Sequence, residues 1–158
     1  MPLFRVLVAW YGKSVLLTAL ITLTVVSGGF VAGLKAGKIY NTFPMMGNYW
    51  VPPDVMALDP WWRNLFDNMA TVQLDHRILA ITTLLLIVLF WWRIPKQDLP
   101  ARARKGVNAL LHTGILQVVL GIVTLLMSVP IALGAAHQGV AMLLFTVSLF
   151  LAHALRRA

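Results

Sequence analysis

Four histidines, His76, His112, His137 and His153, are the residues of this 158-residue chain best suited to chemistry. An imidazole can ligate a transition metal or carry a proton near neutral pH. Cysteine is absent, so thiolate metal sites, thiol catalysis and disulfides are excluded, and the only other common ligands are five Asp and Glu. Whether two imidazoles can meet at one centre depends on the elements that carry them and on the depth at which each is held.

Those elements are membrane spans. The chain is 59% apolar and 11% charged, whereas a soluble domain is about 45–50% apolar and about 25% charged. That imbalance excludes a disordered segment and an ordinary cytosolic enzyme, because a domain this small would expose more apolar surface than water tolerates. The lipid bilayer is therefore the expected partner. Thirteen Lys and Arg against five Asp and Glu give a net charge of +8. At the ends of apolar spans such an excess reads as topology, and nucleic acid is not invoked.

Residues 14–34 carry no charge, and at about 1.5 Å per residue they cross a hydrocarbon core of about 30 Å. The segment is too long for the apolar part of a cleaved signal peptide, and no small-residue cleavage site precedes Gly37-Lys38, so it is expected to stay. Residues 70–92 form a second span, with Asp75, His76 and Arg77 in its first turns. Residues 106–155 are free of Asp, Glu, Lys and Arg, and as one helix they would measure about 75 Å, so they must fold back. Ser128-Val129-Pro130 is the natural reversal, since proline lacks an amide hydrogen and the residue before it avoids the helical region. Spans at 103–127 and 132–155 follow. The expected fold is all-α: an integral membrane four-helix up-down bundle, a single four-transmembrane-helix domain over 1–158, with an outer loop at 38–69.

Nine basic residues gather on one side: Arg5, Lys13, Arg93, Lys96, Arg102, Arg104, Lys105, Arg156 and Arg157. Lys35, Lys38 and Arg63 lie opposite. The positive-inside rule then puts both termini in the cytoplasm or mitochondrial matrix, in a bacterial inner (cell) membrane or the mitochondrial inner membrane. Trp10, Trp91 and Trp92 fall at the inner interface, and Trp50, Trp61 and Trp62 at the outer one. The outer loop is kept irregular by Pro44, Pro52, Pro53 and Pro60, and Pro60 can open a short interfacial helix. It reads equally as a cap on the bundle mouth or as a connector anchored by aromatics.

The second and fourth spans run in the same direction, from outside to inside. His76 lies about 9 Å below the start of its span and His137 about 7.5 Å below the start of its own, so the two are level. In an up-down bundle these spans face each other diagonally across the core, where such bundles hold cofactors. His112 is about 13.5 Å from the inner end of its span and matches less well, and His153 sits at the inner interface. Two level imidazoles in an apolar bundle suit bis-histidine ligation of a haem iron better than zinc, which wants further protein ligands. Arg77, Arg63 and Lys38 are the cations available to haem propionates at the outer interface. Interhelical hydrogen bonding by the histidines, and snorkelling by Arg77, remain the plain alternatives. Gly29, Gly33 and Gly37, beside Ser27 and Gly28, read either as a close helix contact or as room for a flat ligand. Gly134, Ala135, Ala136 and Gly139 around His137 pose the same choice. Gln117 reads as an interhelical hydrogen-bonding group.

The run Gly28-Gly29-Phe30-Val31-Ala32-Gly33-Leu34-Lys35-Ala36-Gly37, continued by Tyr40-Asn41-Thr42-Phe43-Pro44 and Met46-Gly47, resembles the heme A synthase family. So do Val72-Gln73-Leu74-Asp75-His76-Arg77-Ile78-Leu79, Leu120-Gly121-Ile122-Val123-Thr124-Leu125 and Ala136-His137-Gln138. Members convert haem O to haem A by oxidising a ring methyl to formyl, and are usually two similar four-helix halves, each with a histidine pair. The chain looks like the C-terminal half. By that resemblance His76 and His137 are the axial pair of a resident haem b, Arg77 is cofactor-binding, and haem O is the substrate. The implied partner is the N-terminal half or a second copy of this chain. In the N-terminal half a glutamate stands three residues before the first histidine; here that position is Gln73, so no catalytic residue is assigned. The alternatives are a non-catalytic bis-histidine b-type cytochrome and a haem-free membrane assembly scaffold.

Overall fold

The computed structural model describes residues 2–96 and 99–156, with side chains from residue 8 onward. Arg157 and the Arg5 side chain, both counted toward the basic face, lie outside the described residues. The elements are α1 (Pro2–Gly33), α2 (Asn64–Asp67), α3 (Met69–Arg93), α4 (Ala101–Leu126) and α5 (Ile131–Arg156). Four of them, α1, α3, α4 and α5, are long and apolar enough to cross a membrane. An even number of spans returns the chain to the face it left.

Charge-free length marks the span, not the helix. α1 reaches back to Pro2, well before the expected start at residue 14. Lysine propagates a helix as well as leucine does, and the Lys13 ammonium lies 4.1 Å from the Trp10 ring centre. α3 begins where Asn68, in extended conformation, accepts hydrogen bonds from the amides of Ala70 and Thr71. It ends before Pro95, with Ile94 extended as a residue preceding proline should be. α4 stops at Leu126, and the reversal puts both Ser128 and Val129 at φ 60°. A β-branched residue is strained there. It is held because its amide donates to the Thr124 carbonyl at 2.9 Å and because its side chain lodges over Gly37, where a Cβ would lie 3.0 Å from Val129 Cγ2.

Around the bundle α1 packs on α3 and α5, and α4 packs on the same two helices, which leaves α3 and α5 diagonal. The buried apolar cluster occupies the inner half. Leu17 and Ile21 of α1 meet Ile87 and Phe90 of α3, Ala103, Val107 and Leu110 of α4, and Leu144, Leu151 and Leu155 of α5. Trp10 packs edge-on against Phe90 at 5.1 Å, and Trp91 donates to Asn108 Oδ1 while lying under the Lys96 ammonium. The bundle is thus closed at its basic end.

The outer connection is a folded lid. A 3-10 turn at Trp61–Arg63 runs into α2, giving the short interfacial helix expected after Pro60. Trp61 and Trp62 are exposed, and Phe66 packs on Phe30 at 5.5 Å. Asn64, fully buried, ties the lid together. Its Oδ1 accepts from the Leu58 amide and from Asn68 Nδ2, and its Nδ2 donates to the carbonyls of Leu58 and Trp61. Asn64→Ala removes these buried and part-buried hydrogen bonds, each worth about 0.5–1.5 kcal/mol. A clear fall in the thermal unfolding midpoint in detergent is expected, and an unchanged midpoint would show that the lid is held elsewhere.

Candidate functional site

Where the inner core ends, the outer half of the bundle opens into a cavity of about 610 Å³. Its floor is made by Ile21, Ile87 and Leu144, and Ile87 fits so closely on Gly114 that a Cβ there would meet its Cδ1 at 3.0 Å. His76 and His137 both line the cavity, from the diagonal helices α3 and α5. His112 is exposed and its Nδ1 lies 2.7 Å from the Asn108 carbonyl of its own helix, and His153 is exposed in the last turn of α5. Neither lines the cavity.

Each cavity histidine rests on a glycine of an adjacent helix. A Cβ on Gly28 of α1 would lie 3.1 Å from His76 Cε1, and a Cβ on Gly121 of α4 would lie 2.8 Å from His137 Cε1. Any side chain at Gly121 forces a shift of the ring or of the helices that hold it. The expected small-residue stripe behaves otherwise: Gly29 and Gly33 have nothing within 4 Å, so neither makes a close helix contact, and Gly29 borders the cavity. His76 Nδ1 is 2.8 Å from Ser27 Oγ. His137 Nε2 is 3.4 Å from Gln117 Nε2, so Gln117 does bridge α4 and α5, but onto a cavity histidine.

The lid is pinned over the cavity by Arg77. Its Nη1 donates to the carbonyls of Thr42, Pro44 and Met45 and its Nη2 to that of Tyr40 at 2.9 Å, and Gln73 Nε2 donates to the same Tyr40 carbonyl. Asn41 completes the attachment by donating to the carbonyls of Gly37 and Leu125. Outside, the Tyr40 hydroxyl donates to Asp54 at 2.8 Å. That bond, ahead of burial and of the Asp54 charge, raises the Tyr40 pKa above 10.0, so the tie holds below that range and is lost as pH rises through it. Of the expected outer cations, Arg77 and Lys38 border the cavity, joined by Lys35. Arg63 does not: it pairs with Asp67 at 3.2 Å on the lid surface. Arg77 does not snorkel to headgroups either, because the lid carbonyls take its donors. Arg77→Ala removes hydrogen bonds from a charged donor, each worth about 1.5–3 kcal/mol. Amide exchange across residues 40–46 is expected to accelerate roughly tenfold or more, read by mass spectrometry; unchanged protection would show that Arg77 does not hold the lid.

The sequence of the chain decides its kinship. A family model described as cytochrome oxidase assembly protein matches residues 3–149. The chain belongs to the cytochrome oxidase assembly protein family. Its relatives include the protein named heme A synthase of Nitrosospira multiformis, 49% identical over 91% of this chain and 40% of that protein. Those named heme A synthase COX15 are 46% identical over 87% of this chain, covering 30% of the Arabidopsis thaliana protein and 34% of the Homo sapiens protein. The chain therefore spans less than half the length of these curated relatives. No solved structure matches it.

In this chain the residues present fit a porphyrin. No three His, Cys, Asp or Glu side chains come together among the described residues, so a bare ion would lack ligands, whereas a haem iron brings four nitrogens of its own and asks for two axial donors. The cavity volume falls within the roughly 300–1,000 Å³ of cofactor pockets. Buried polar atoms without partners, Gln73 Oε1, Arg77 Nε, Gln117 Oε1 and His137 Nδ1, all belong to residues lining it. In the sequence Ser27 and Gly28 belong to a small-residue stripe that reads as a close contact or as room for a flat ligand, Gly121 to a motif and Gln117 to interhelical hydrogen bonding; none is tied there to a particular histidine. The signal for them is level: each stands beside a histidine at the same depth, which shows only once helices are adjacent.

Proposed function

We propose that the chain is the haem-holding half of a heme A synthase in a bacterial cell membrane or the mitochondrial inner membrane. His76 and His137 would hold a haem b by its iron, with Arg77 at the outer edge of the cavity. The observation that carries this reading is the pair of diagonal histidines, each set on a glycine, lining one apolar cavity. A haem so held supplies one-electron transfer. The chain's own groups orient the imidazoles through Ser27 and the glycines, close the inner side with Ile21, Ile87 and Leu144, and cover the outer side with the lid. Haem O would be oxidised at its methyl group in a partner half, either an N-terminal half or a second copy of this chain.

A second reading is favoured by one observation: no Asp or Glu lines the cavity among the described residues, where Gln73 is found. That composition suits a b-type cytochrome that carries electrons without performing oxidation. Expression in a haem O-producing host, with and without an N-terminal half, followed by haem extraction, separates the two. Haem A in the presence of the partner half supports the synthase reading. Bound haem b with no haem A in either case leaves electron transfer, and a purified chain without a six-coordinate low-spin haem spectrum leaves a scaffold.

A further inference from the structure

We propose that the two histidines are unequal ligands: Ser27 is a positioning residue that makes His76 the permanent axial donor, and His137 is the ligand that yields to a small neutral diatomic molecule. This rests on the bis-histidine haem reading. Ser27 Oγ lies 2.8 Å from both the Thr24 carbonyl and His76 Nδ1. With His76 Nε2 given to the iron, as the haem reading requires, the ring hydrogen is on Nδ1. Ser27 then accepts from it and turns its own single hydroxyl hydrogen to the Thr24 carbonyl. Donation from Nδ1–H into a Ser27–Thr24 chain raises the basicity of the ring, as such partners do for metal-bound imidazoles. Gly28 backs the ring closely enough to restrict its rotation.

His137 has none of this. Its Nδ1 is buried without a partner, so nothing strengthens the ring as a donor. Its Nε2 faces the Gln117 amide nitrogen at 3.4 Å, and with Nε2 unprotonated, as a metal requires, an N–H of that amide competes for the same lone pair. Gln117 Oε1 is itself buried and unpaired. When His137 leaves the metal, Gln117 can receive it, and the same amide can donate to a diatomic molecule in the vacated place.

Carbon monoxide is the probe, on the full chain purified in detergent and loaded with haem. Reduced wild type is expected to bind carbon monoxide, giving an adduct whose spectrum matches that of His137→Gly, because His76 remains the opposite ligand in both. His137→Gly is expected to keep its haem as a five-coordinate species, and His76→Gly to release haem at least tenfold faster than His137→Gly. Ser27→Ala is expected to raise the midpoint potential and speed haem release, with Ser27→Thr restoring both; a merely structural role would not move the potential. Gln117→Leu is expected to shift the carbon monoxide stretching frequency. Equal haem loss from the two histidine variants, or an unaltered potential in Ser27→Ala, overturns the inference while leaving the haem reading intact. Wild type that takes up haem but refuses carbon monoxide also overturns it, without relying on any variant to fold. Wild type that takes up no haem overturns both.

Discussion

His76→Ala and His137→Ala are each expected to abolish the six-coordinate low-spin haem spectrum of the purified protein, while His112→Ala and His153→Ala leave it unchanged. Only the first two side chains line the cavity. His112 points away, toward its own helix backbone, and His153 is exposed at the basic end, alongside the packed inner core that separates it from the cavity. If His76 and His137 hold the iron as proposed, losing either would remove half of the protein's bonds to it, so the expected change is all or none in ligation state. Visible absorption and electron paramagnetic resonance read it directly. A spectrum altered as strongly by His153→Ala as by His76→Ala would contradict the assignment of the pair.

Gly121→Ala is the second substitution with a large expected effect, although it adds a single methyl group. That methyl would stand 2.8 Å from His137 Cε1, well inside contact distance. Either the ring swings off its position or α4 and α5 part, and overpacking of this kind costs about 1–3 kcal/mol. The α4–α5 contact is the most extensive in the bundle, so the ring is the element that gives. Six-coordinate haem is expected to fall sharply, while Gly33→Ala and Gly139→Ala, outside the cavity lining and with nothing within 4 Å of the added atom, leave it intact. Gly28→Ala, at 3.1 Å from His76, is expected to be intermediate. Equal spectra for Gly121→Ala and Gly139→Ala would show that the glycine does not set the ring.

Much of the architecture is legible along the chain because burial in lipid imposes long uncharged runs that a one-dimensional count detects. Pro130 marked the reversal between α4 and α5, and Pro60 the start of the lid helix, since a missing amide hydrogen acts locally. The start of α1 was not legible, because charge limits a span while helix propensity continues through Lys13 to Pro2. Arg63 and Arg77 looked equivalent as outer cations. Their fates differ through partners distant in sequence or held by local folding: Arg77 meets carbonyls more than thirty positions away, and Arg63 meets Asp67 one turn on. Ser27 and Gln117 were likewise ordinary polar residues until neighbouring helices set them beside His76 and His137.

By itself, then, the sequence determined the number of spans, the face on which positive charge collects, and a depth shared by two imidazoles. Each of these is a property of spacing along one axis. Only the tertiary structure decided that the bundle closes below those imidazoles and opens between them, that glycines stand behind them, and that Nδ1 of one ring has a hydrogen-bonding partner while Nδ1 of the other has none among the described residues. Those facts depend on the rotation of each helix about its axis and on which helices become neighbours. Lipid, apolar on every side, does not record that rotation in the hydropathy of a span; close packing and hydrogen bonding between helices select it.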